Sequence, residues 1–110
     1  MINFTSRTSY YLSNGPTDMR KGREGLSRII RENMGMNPRE YNNAYIFYSK
    51  DCRKVKILHY DINGYVMYEK WFDSGKFLKP AFEECRSSHC ITRETLILLL
   101  STAVQTKIVI

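Results

Sequence analysis

The chain has 110 residues, 43% of them hydrophobic, and carries 17 Lys and Arg against 11 Asp and Glu for a net charge of +6. This length fits one domain, taken as 1–110, and buries enough surface for one core without staples. The longest apolar run is far too short to span a bilayer, the first residues lack a secretory pattern, and three cysteines form no framework, so the expectation is a cytoplasmic protein with reduced thiols and no membrane segment.

The basic excess is uneven. Residues 1–79 hold fourteen basic and eight acidic side chains, and residues 80–110 hold three of each. A positive field of this kind attracts nucleic acid or an acidic protein surface before any specific contact forms.

Residues 3–12 are expected to be extended, with Tyr10, Tyr11 and Leu12 as a short strand, and Ser13-Asn14-Gly15-Pro16 is turn chemistry. The next octapeptide, Gly15-Pro-Thr-Asp-Met-Arg-Lys-Gly22, has the features of a helix entry. Thr17 is a candidate cap, and Asp18 suits the positive end of a helix dipole. The spacing of Met19, Gly22, Leu26, Ile29 and Ile30 predicts a helix over 17–34, ended by Gly35 as a left-handed cap. Arg20 and Lys21 would project from its first turn as anion contacts. The charges at Arg23, Glu24, Arg28, Arg31 and Glu32 are expected mainly to keep the helix soluble.

A polar loop over 36–43 precedes three strand patterns at 44–49, 55–60 and 65–72. A charged turn at 50–54 joins the first two. Asp61-Ile62-Asn63-Gly64 joins the next pair, either as a type I turn with a Gly bulge or as a type I′ turn centred on Asn63-Gly64. After a turn at 73–75, Phe77 and Leu78 suggest a short fourth strand ended by Pro80. Residues 81–91 have no regular pattern. Thr92 caps a second helix with Glu94 in its first turn, and its apolar residues from Leu96 to Val104 face more than one side. The tail Lys107-Ile108-Val109-Ile110 suits a sheet edge or a dimer contact. The fold class is therefore α+β: a small, mainly antiparallel sheet of four or five strands, a helix on one face, and a C-terminal helix.

Lys50, Arg53, Lys54, Lys56, Lys70 and Lys76 fall on neighbouring hairpins and are expected to share one side of the sheet. Tyr45, Tyr48, Tyr60, Tyr65, Tyr68 and Trp71 are interleaved with them, either as base-stacking rings or as core. Arg53, Lys54, Lys56, Lys70 and Lys76 are the candidate phosphate contacts on this surface. Cys85, His89 and Cys90 lack the paired spacing of a zinc site. Asp18, Asp51, Asp61, Glu69 and Asp73 show no spacing that demands a metal, and no phosphate-loop motif occurs. No cofactor, metal or catalytic residue is expected.

Four segments occur in an order that resembles a known family. Gly15 to Gly22 is similar to its signature, Ala44-Tyr-Ile-Phe-Tyr-Ser49 to its first core strand, Lys56-Ile-Leu-His-Tyr-Asp61 with Asn63-Gly64 to its hairpin, and Gly75-Lys-Phe77 through Pro80 to a further element. The family is that of the TnpB-type accessory protein, the product of the second open reading frame in the sixty-sixth insertion-sequence family. The match is strongest over residues 10–80. The chain departs from the family pattern at Arg23, at Arg39-Glu-Tyr-Asn-Asn43 and at Tyr68-Glu69-Lys70-Trp71. The resemblance implies a non-enzymatic accessory role in transposition beside a separate transposase. DNA, the transposase of the same element and a second copy of the chain are the expected partners, DNA being inferred from charge and context. The alternatives are a protein-interaction module or dimeric regulator without DNA contact, and a metal-dependent nuclease.

Overall fold

A computed structural model describes residues 7–75, 77 and 88–101. Among the described residues, five strands form one sheet in the order β4-β3-β2-β1-β5. They are β1 (Ser9–Ser13), β2 (Asn43–Tyr48), β3 (Lys54–Asp61), β4 (Gly64–Trp71) and β5 (Ser88–Ile91). The helices are α1 (Arg23–Glu32) and α2 (Arg93–Ser101). β1 and β2 run parallel, joined by the crossover that contains α1, and every other pair is antiparallel. The mainly antiparallel α+β class is therefore observed.

Side-chain alternation in the central strands divides the core in two. Ala44, Ile46, Tyr48, Val55 and Ile57 face one way and pack with Leu96, Leu99 and Leu100 of α2. Tyr45, Phe47 and Leu58 face the other way and pack with Leu26 and Ile30 of α1 and with Met34. The two helical residues Leu26 and Ile30 are fully buried, and each such side chain contributes roughly 1.5–3 kcal/mol. Coverage on both faces explains why β2 is apolar almost throughout instead of alternating with polar residues.

The first helix begins later than the sequence suggests. Thr17 does not cap it, because its backbone N–H donates to Tyr48 O at 2.8 Å and extends the end of β2. Asp18 closes a local turn instead, accepting from the backbone N–H of Arg20 at 2.9 Å. Gly22, in an extended conformation, is the residue from which α1 starts. The C-terminal end follows expectation: Gly35 has φ +65°, and Met36 N donates back to Ile30 O.

Residues 88–91, expected to be irregular, form the edge strand β5 against β1. Thr92 caps α2 as expected, its Oγ1 accepting from Thr95 N at 3.0 Å. Phe77 is not in a strand, but its N–H donates to Cys52 O at 2.7 Å and its ring stacks on Tyr48 at 5.8 Å. Leu78, Pro80, the first six residues, the continuation of the second helix through Val104 and the apolar tail lie outside the described residues.

The β3–β4 hairpin matches neither sequence alternative. Asp61 pairs with Gly64, so Ile62 and Asn63 are its central residues, with φ 34° and 64°. Both lie in the left-handed region that suits a primed turn, which disfavours a β-branched side chain. Ile62 is 79% exposed and has no packing to offset that strain. Ile62→Asn is expected to stabilise the protein by about 1 kcal/mol, read as a higher urea midpoint at unchanged slope. A lower midpoint would contradict this account of the turn.

Candidate anion-binding cleft

The signature segment between β1 and α1 is held from below by a lysine. Lys56 is 7% exposed, and its Nζ donates to Met19 O at 2.7 Å and to Lys21 O at 2.9 Å. The ammonium thus fastens the loop to the sheet and does not face solvent. Arg20 forms a paired contact with Asp18, the closest approach being 2.8 Å. That guanidinium, together with the Arg20 backbone N–H, holds the Asp18 carboxyl well below the usual carboxylate range. A depressed carboxylate favours the turn above the ordinary carboxylate range and withdraws that support as the pH falls toward its folded value.

The cations chosen from the sequence do not form one patch. Lys70 lies on the opposite sheet face from Lys54 and Lys56, and its Nζ donates to Leu100 O of α2 at 3.0 Å. Lys54 sits 3.8 Å over the Trp71 ring and 3.7 Å from Glu69 Oε1. Lys56 also shares Glu69, at 3.9 Å. Arg53 and Lys21 are exposed, Arg53 near Trp71 and Lys21 on the signature loop. Lys76 lies outside the described residues. Strand alternation separates Lys70 from Lys54 and Lys56, and their hairpin proximity in sequence does not overcome that.

The aromatics divide similarly. Tyr45 and Tyr48 are core, Tyr68 packs against the α2 side, and Trp71 is 67% exposed. Tyr60 and Tyr65 are partly exposed on the α1 side and meet edge to face at 5.0 Å.

A different set of cations converges. Arg23, Arg28 and Arg31 of α1 and Arg39 of the following loop surround a cleft of about 340 Å³, with Glu24, Ser27 and Tyr65 completing its lining. Arg23 reaches Glu24 at 3.4 Å and Arg28 reaches Glu32 at 3.7 Å, both long, exposed pairs worth little. The Arg31 and Arg39 guanidinium groups have no carboxylate partner among the described residues. Ser27 is buried, and its hydroxyl has no hydrogen-bond partner among the described residues. Four arginines with one carboxylate among them suit an anion with several acceptor oxygens, such as a phosphodiester.

The loop that brings Arg39 to α1 is itself anchored. The buried Tyr45 hydroxyl donates to Asn37 O at 2.7 Å and accepts from Asn43 Nδ2 at 2.9 Å. Asn37 Oδ1 accepts from Arg39 N at 3.0 Å, closing the turn that presents the arginine. The spacing of Arg23, Ser27 and Arg31, four residues apart, is a sequence signal for a single helix stripe. The arrival of Arg39 has no local signal.

Among the described residues, no three His, Cys, Asp or Glu side chains gather as a metal site, and Cys85 of the Cys85-His89-Cys90 set lies outside them. The described Cys52 and Cys90 are free thiols. No described helix is long and apolar enough to cross a membrane.

Comparison with known proteins gives a family and two relatives. The family described as IS66 Orf2 like protein matches residues 8–108. The chain is 28% identical over 69 residues to "Uncharacterized protein y4jC" of Sinorhizobium fredii (strain NBRC 101917 / NGR234), covering 63% of this chain and 58% of that protein. It is 29% identical over 73 residues to "Uncharacterized protein y4hO" of the same strain, covering 66% of this chain and 63% of that protein. The matched segment thus spans less than two thirds of either relative's length. No solved structure matches the chain.

Proposed function

We propose, from the premise that this chain belongs to the IS66 Orf2-like family, that it is a non-enzymatic accessory protein of transposition that docks nucleic acid on the arginine cleft. The family supports the transposition role. The observation that carries the docking surface is the convergence of Arg23, Arg28, Arg31 and Arg39 on one cleft, with Arg31 and Arg39 lacking acidic partners among the described residues. In this reading the protein acts in the cytoplasm, where its transposase and DNA are together, and the arginines contact phosphate oxygens and release counterions. Arg53 and Lys21 add to the long-range field and do not line the cleft.

The test is titration of a labelled duplex at increasing salt. With four phosphate contacts, log affinity should fall against log salt with a slope of roughly −3 to −4. Failure to retain any DNA at low salt would overturn the docking reading.

A second reading is favoured by one observation, the 67% exposure of Trp71 beside Lys54 and Arg53. Exposed tryptophans are frequent anchors of protein interfaces, and here the partner would be the transposase. Capture of purified transposase that is lost on Trp71→Ala, and kept after charge reversal in the cleft, would support it.

A further inference from the structure

We infer that the arginine cleft takes a single-stranded segment of nucleic acid, with an unpaired base stacked on Tyr41; the inference rests on the docking reading above. Three tyrosines lead away from the cleft. Tyr65 lines it, with the Arg23 guanidinium 6.0 Å from its ring centroid. Tyr60 meets Tyr65 at 5.0 Å, and Tyr41 meets Tyr60 at 5.7 Å with a 48° tilt. Tyr41 is 53% exposed at the end of this series, two residues after Arg39 in the same anchored loop.

The chemistry of these neighbours differs in a useful way. Arginines bind the backbone of a duplex or a single strand alike. An aromatic ring beside them gains nothing from a duplex, whose bases are already stacked inside. It gains from a strand whose bases can turn outward, and such stacking is tolerant of sequence because every base has a flat face. The tyrosines also support one another: Tyr60, packed between Tyr41 and Tyr65, limits the ring positions that Tyr41 can adopt. That contact reduces the side-chain entropy Tyr41 loses on binding.

The experiment compares a labelled oligothymidine with a duplex of equal length at one salt concentration, by fluorescence anisotropy. Wild type is expected to bind the oligothymidine more tightly. Tyr41→Ala should weaken oligothymidine binding roughly tenfold or more and leave duplex affinity within about twofold, since one base stack is at stake. Tyr41→Phe should restore binding, because it keeps the ring. Arg31→Gln should weaken both ligands. Equal binding of the two ligands, unchanged by Tyr41→Ala, would overturn the inference while leaving the cleft as a backbone-binding site. Absence of binding to either ligand at low salt would remove the docking reading itself and this inference with it.

Discussion

Replacing Lys56 with methionine is expected to destabilise the protein by about 3 kcal/mol, because it removes two hydrogen bonds from a charged donor at a buried position. Both carbonyl acceptors, Met19 O and Lys21 O, belong to the signature segment, and the stem of Lys56 passes through the α1 side of the sheet. Methionine keeps most of the apolar volume, so the loss measures the ammonium. Part of the gross value is offset, since burying an ammonium has its own desolvation cost. Lys54→Met is the control. Lys54 is more exposed, its ammonium meets only the exposed Trp71 ring and Glu69 at 3.7 Å among the described residues, and its variant should lose no more than about 1 kcal/mol. Urea unfolding measures both variants. The Lys56 variant should also be cut by trypsin more readily after Arg20 and Lys21, because the loop loses its tie to the sheet. An unchanged urea midpoint would show that the clip adds nothing.

The double reversal Arg31→Glu with Arg39→Glu is expected to lower duplex affinity on the order of a hundredfold at moderate salt. It should also reduce the salt slope by about two, one for each phosphate no longer neutralised. Both side chains are exposed and without carboxylate partners among the described residues, so thermal stability should change by less than about 0.5 kcal/mol. Circular dichroism melting therefore separates a binding effect from unfolding. A matched reversal at Lys50 and Arg53 alters net charge equally but lies away from the cleft. If that pair lowers affinity as much and with the same change in slope, the basic field alone explains binding and the cleft has no special part.

The hairpin strands, the stop of α1 and the start of α2 were legible because their signals are local. Asp61 to Gly64 marks one turn, Gly35 takes the left-handed position its place predicts, and Thr92 caps its helix. The start of α1 misled because Gly15-Pro-Thr-Asp presents every feature of a cap. Asp18 spends its carboxylate on Arg20, and Thr17 joins the end of β2, neither of which is visible before the strands assemble. β5 was missed because Ser88-His-Cys-Ile91 is short and largely polar, and becomes a strand only by pairing with β1. The candidate site suffered most from tertiary contacts. Lys56 and Lys70 resemble surface lysines in sequence, yet each donates to distant backbone carbonyls, at Met19 and Lys21 in one case and at Leu100 in the other. The arginines that do gather depend on the crossover that returns the chain from α1 to β2, which carries Arg39 against the helix.

The pairing of β1 with β5 has a consequence for biosynthesis. β1 leaves the ribosome well before its second edge can be filled by residues 88–91, and the lid of α2 arrives later still. Until then Tyr10, Leu12, Ile46 and Ile57 present a greasy, unsealed surface to the surrounding solvent. A transcript or nascent chain cut short before residue 88 would yield a half-covered sheet with an open rim, a species inclined to clump or to occupy chaperones.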